Sequence, residues 1–208
     1  MGHYTRFSAQ ASLAAIGVRM RQMKVWQPVE EKVQIRQKTI RHRPLDKLLD
    51  AFVNILAGGH GLVEVNTRIE PDEAVQKAFG RQGCADQSTI SDTLGVCTQE
   101  TVGQMREALQ VVYRAHSQAY RHRYEQCYQV LDVDMSGMPA GSQGEGVTKG
   151  YFSGRKNRRG RQLGRVMATR YDEIVVERLY TGKVQLEQSL QSFGEAAEEV
   201  LELDEARR

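Results

Sequence analysis

The chain reads as an α+β protein in which an all-helical N-terminal region is followed by three antiparallel strands and a helix. Three patterns predict this. Apolar residues recur every three or four positions from Leu45 through Leu48, Leu49, Phe52, Val53 and Leu56, and again from Val102 through Met105, Leu109 and Val112 to Tyr120; this is the period of a helix that buries one face. Residues 128–134 (YQVLDVD) alternate with period two, as a strand does when successive side chains face opposite ways. Two further β-rich runs, 162–169 and 173–180, are joined by Arg170, Tyr171 and Asp172 as a hairpin, and helical spacing returns over 184–203.

Residues 1–44 are basic, with Arg6, Arg19, Arg21, Lys24, Lys32, Arg36, Lys38, Arg41 and Arg43 against Glu30 and Glu31. We read them as an arm that holds phosphates electrostatically or as a solvated leader, with Trp26 as its anchor. Residues 45–126 form the helical, DNA-binding candidate region. Its first helix has proline at its start and the glycines of Gly58-Gly59-His60-Gly61 past its end, so that loop is a helix stop. A second helix spans 71–79 and a third 86–94. The pair has the length of a helix-turn-helix, but its outer face offers Gln87, Ser88 and Ser91 with little positive charge, which favours packing over base reading. Thr98 caps a long helix reaching about residue 126, and His116 on its apolar stripe reads as a buried, satisfied imidazole. Residues 127–208 form the third region. The acids Glu195, Glu198, Glu199, Glu202 and Asp204 read as the solvated face of its last helix.

Composition sets the class. The 208 residues are 40% hydrophobic and 26% charged, with a net charge of +3, as in globular proteins and unlike disordered ones. Cys84, Cys97 and Cys127 are odd in number and widely spaced, and neither they nor the five histidines show metal-ligand spacing, so a disulfide framework and a zinc site are excluded. The longest apolar run, residues 48–57, is interrupted by Asp50 and Asn54 and is too short to cross a bilayer. A cytoplasmic protein with no membrane partner is expected.

The chemistry concentrates at the first strand. Alternation puts Val130, Asp132 and Asp134 on one face and Leu131, Val133 and Met135 on the other. Two carboxylates side by side repel unless a cation lies between them, and hard oxygen ligands suit Mg²⁺ or Mn²⁺. The plainer alternative is a strand end whose acids are merely solvated. Downstream, Lys149, Arg155, Lys156, Arg158, Arg159, Arg161, Arg165 and Arg170 follow with no acid until Asp172.

The words LDVDMSGMPAGSQGEGVTKGYF (131–152) and KNRRGRQLGRVMATRYDEIVVERLYTGKVQLEQSL (156–190), with KLLDAFVNILAGGHGLVEVNTR (47–68) upstream, resemble the DDE-type insertion-sequence transposases. The likeness covers most of the chain from about Ser8. It implies that residues 127–208 are the first part of a ribonuclease-H-like catalytic domain, incomplete in this chain. In that family three acids hold two divalent ions for phosphoryl transfer. The resemblance makes Asp134 the catalytic first acid and metal ligand, with Asp132 as supporting ligand, and implies a Mg²⁺ or Mn²⁺ cofactor. It places Arg155, Lys156, Arg158, Arg159, Arg161 and Arg165 on DNA phosphates near the metal, for affinity without sequence choice. The family's second and third acids belong on a later strand and helix, so the resemblance implies a transposase that is truncated, frame-shifted or one portion of a longer product and inactive alone. Expected partners are transposon-end and target DNA, a second copy, or full-length transposase.

Two rivals are distinct. A catalytically inactive DNA-binding or regulatory fragment needs only the basic segments. A haloacid-dehalogenase-like phosphatase would use Asp132 as nucleophile and Asp134 as acid/base with Mg²⁺, but requires a longer parallel sheet than a hairpin supplies.

Overall fold

A computed structural model describes residues 8–38, 41–152 and 154–203, so Arg6 and Asp204 lie outside the described residues. The chain forms two compact units, 1–112 and 113–208.

The first unit is helical: α1 (Ala11–Gln22), α2 (Gln27–Lys32), α3 (Pro44–Leu56), a 3₁₀ turn (Leu62–Glu64), α4 (Val65–Arg68), α5 (Glu73–Ala78), α6 (Gln87–Gly95) and the greater part of α7 (Gln99–His116). Within the stretch expected to be an arm, residues 11–22 and 27–32 therefore fold as helices. Leu13 of α1 joins Leu49, Val53, Val65, Val75, Phe79 and Ile90 in one core, and Val29 and Val33 pack with Ala108 in a second. Hydrophobic periodicity conceals α1 because its second buried position is Gly17, where a Cβ would meet the Phe79 ring at 2.6 Å.

α3 begins and ends as its sequence dictates. Pro44 occupies the first turn, where its missing N–H costs nothing, and Asp46 accepts a hydrogen bond from the Arg43 backbone N–H at 3.2 Å. After Ala57, Gly58 adopts φ 76° and the Gly59 N–H returns to the Asn54 carbonyl at 2.8 Å, which is the helix stop that was expected. Inside the unit, buried Asp50 accepts from Arg81 Nε at 2.8 Å, from Arg81 Nη2 at 3.0 Å and from the Ala85 N–H at 2.8 Å. Removing one partner of such a buried pair strands the other charge, at about 3–5 kcal/mol. α5 packs chiefly on α1 and α6 on α3.

The second unit is a four-stranded antiparallel sheet: β1 (Leu131–Pro139), β2 (Thr148–Phe152), β3 (Arg155–Ala168) and β4 (Glu173–Thr181), followed by α8 (Leu186–Leu201). Four strands replace the three expected. The expected hairpin is present as β3 and β4, with Val166 opposite Val176. β1 begins at Leu131, later than the expected Tyr128, and does not turn at Ser136-Gly137; it stays paired with β3 through Pro139 opposite Gly160. Long β3 binds β1 and β4 along its second half and β2 along its first.

One face of the sheet packs against α8. Val166 and Ala168 of β3 and Val176 of β4 meet Phe193, Ala197, Val200 and Leu201 there. Phe193 fits because Gly164 lies beneath it; a Cβ there would sit 2.1 Å from the ring. α7 ends at His116, short of the expected residue 126, because Glu173 of β4 captures the chain after it. The Glu173 carboxylate accepts from the Ser117 hydroxyl and from the backbone N–H groups of Gln118 (2.8 Å) and Ala119 (3.1 Å). His116 is exposed, contrary to the expected buried imidazole. The buried histidine is His122, held by the Tyr171 hydroxyl at 2.7 Å and the Cys127 carbonyl at 2.9 Å.

Candidate functional site

The period-two pattern of β1 survives in three dimensions. Leu131, Val133 and Met135 pack toward the α8 side, while Asp132, Asp134 and Ser136 are exposed on the opposite, outer face. Pairing across the sheet fixes their neighbours. Asp134 stands opposite Arg165, which stands opposite Glu177, so one row across β1, β3 and β4 reads acid, base, acid. Arg165 Nε lies 3.3 Å from Glu177 Oε2, and both side chains are nearly half exposed. Such a surface pair contributes about 0–1 kcal/mol. Its consequence is positional: it holds a guanidinium beside Asp134. The next row, Asp132, Met167 and Ile174, is apolar beyond the acid.

Strand geometry sets the distances available to a cation. Asp132 and Asp134 are two positions apart, about 7 Å along β1, within the span of two carboxylates converging on a single ion or an ion pair. Glu177 is two strands away, about 10 Å, and Arg165 lies between, so it is not a co-ligand of the same ion. Among the described residues, no group of three or more His, Cys, Asp or Glu side chains converges.

The basic ribbon divides. Arg155, Lys156, Arg158 and Arg159 are exposed at the start of β3, and among the described residues none of them forms an ion pair. Arg161 is instead part of the scaffold, reaching across to β4 with Nη2 on the Leu179 carbonyl at 3.2 Å and Nε on the Tyr180 carbonyl at 3.4 Å. Arg165 is committed to Glu177. Six residues separate Arg159 from Arg165, the level of Asp134, so the free cations begin about 20 Å from that acid along the strand. That length matches about six base steps of a duplex at 3.4 Å each.

β2 was missed in the sequence although its signal was present. Thr148, Gly150 and Phe152 alternate with Lys149 and Tyr151, a period-two pattern that pairs with β3. Gly137, Gly150, Gly160 and Gly182 form a floor for Phe152, which is 1% exposed. A Cβ at Gly137 or Gly182 would come within 2.7 Å of its ring, and one at Gly150 within 2.9 Å.

Comparison with known proteins finds no matching family model, no matching curated protein and no matching solved structure. No helix among the described residues is long and apolar enough to cross a membrane.

Proposed function

We propose that the chain is a portion of a DDE-type insertion-sequence transposase, with β1, β3, β4 and α8 as the opening of a ribonuclease-H-like domain that acts on DNA. The observation that carries this reading is the outer face of the sheet: Asp132 and Asp134 stand exposed on one side of β1, next to a β3 strand whose far end is a run of unpaired cations. The order of pairing, with β3 between β1 and β4 and a helix packed on the inner face, supports it. The all-antiparallel sheet counts against the phosphatase alternative, which needs parallel strands.

The carboxylates of Asp134 and Asp132 fit a hard divalent ion in donor type and spacing, and these two residues would hold it. Mg²⁺ or Mn²⁺ bound there would polarise the scissile phosphate and activate the attacking hydroxyl. The remaining work belongs to the chain's own groups. Arg165, positioned by Glu177, provides positive charge beside Asp134, and Arg155, Lys156, Arg158 and Arg159 hold phosphates without reading bases.

The test uses the purified chain and plasmid DNA carrying the sequences that flank its own gene. Binding should weaken steeply with salt, and replacing Arg155, Lys156, Arg158 and Arg159 by alanine should reduce the slope of log affinity against log salt by about 3–4. Mn²⁺-dependent nicking that disappears in Asp134→Ala while binding persists supports the catalytic reading. Salt-dependent binding with no nicking in either protein points to the DNA-binding or regulatory form, and no binding at all removes the proposal.

A further inference from the structure

Phe152 decides which way the β2 hairpin presents its side chains. Because its ring is locked onto the glycine floor of the inner face, alternation turns Lys149 and Tyr151 to the outer face. Tyr151 is 64% exposed, and among the described residues it forms no side-chain hydrogen bond, aromatic or cation–π contact. Lys149 is paired in register with Arg159, so two like charges stand directly opposite each other. Such a pair destabilises a free hairpin, and it is relieved when a polyanion lies across both. The register between Gly150 opposite Arg158 and Phe152 opposite Arg155 carries one extra residue on β3, where Asn157 takes φ 60°. This bulge twists the strand opposite Tyr151. No acid occurs between residues 147 and 171.

We propose that the outer face of the β2–β3 hairpin binds single-stranded nucleic acid, with Tyr151 stacking on an unpaired base and Lys149 and Arg159 holding the phosphates on either side of it. This inference rests on the reading of DNA as the chain's partner and specifies the state of the DNA that the hairpin takes. A flat aromatic ring flanked by cations meets the π-face of any base together with the backbone charge next to it, whereas in a duplex the base faces are already stacked. The two cations supply attraction, and the ring supplies the preference for unpaired bases.

Fluorescence anisotropy with a labelled single-stranded oligonucleotide and the corresponding blunt duplex tests this on the full chain. Tyr151→Ala should weaken single-strand binding about 5- to 150-fold and change duplex binding less than about twofold. Tyr151→Trp should restore single-strand affinity, and its emission should be quenched by the oligonucleotide. The double variant Lys149→Ala/Arg159→Ala should weaken both ligands and lower the single-strand salt slope by about 1.4. Single-strand binding that survives Tyr151→Ala within twofold, while the double variant loses affinity, overturns the stacking proposal and leaves DNA binding intact. If the wild-type chain binds neither ligand, the transposase reading and this inference fall together.

Discussion

Glu173 shows how a single side chain ends an element and couples the fold to pH. Burial pushes its carboxyl up, but hydrogen bonds from Ser117, Gln118 and Ala119 outweigh burial and hold it below the ordinary glutamate value. A depressed folded-state value means that the unfolded chain binds the proton more readily. The stabilisation is therefore complete above the ordinary carboxylate range and is lost as pH falls through the folded value. Glu173→Gln should lower stability near neutral pH and flatten the decline of stability below about pH 4.5; urea midpoints measured across that range check it, and an unchanged acid slope would refute the assignment. His122 belongs to the same lesson, since its burial depends on Tyr171 and the Cys127 carbonyl. Nothing in the local pattern around His116 or His122 told the exposed ring from the buried one.

At the level of elements, the β2–β3 hairpin depends on one ring over four glycines. Phe152→Ala should remove about 3–5 kcal/mol, since Gly137, Gly150, Gly160 and Gly182 present no side chains to fill the gap. Denaturation monitored by far-ultraviolet circular dichroism measures it, and a loss below about 1 kcal/mol would show that the ring is not the clasp. This arrangement explains why β2 escaped the sequence reading. Glycine in a strand usually signals a bulge or a loop, and here it signals the close approach of an aromatic ring contributed by a residue next to it in space. By contrast, α3 was legible because Pro44, an apolar stripe and Gly58 each act within one turn of where they stand. The faces of β1 were legible too, since alternation needs no knowledge of the partner strand.

For the molecule as a whole, the absence of any buried cluster shared by the two units among the described residues implies two separable transitions. Leu13, Val53, Ile69, Phe79 and Ile90 share no cluster with Val166, Phe193, Ala197 or Leu201. The single tryptophan, Trp26, packs against Phe52 and so reports on the first unit alone. Phe193→Ala should lower the midpoint of the second unit, seen by circular dichroism, while the midpoint of Trp26 fluorescence stays in place; coincident shifts would show one cooperative unit instead. The same division limits what could be read without coordinates. Composition, the absence of ligand spacing and the two periodicities set the α+β class, the helical opening, the hairpin of β3 with β4 and the shared face of Asp132 and Asp134, because each follows from neighbours in the chain. Long-range pairing alone put Arg165 between Asp134 and Glu177, took Arg161 out of the free basic set, folded α1 onto Phe79 and turned Tyr151 outward. Those outcomes depend on which backbones meet across the sheet and on where a glycine admits a ring, and no local pattern encodes either.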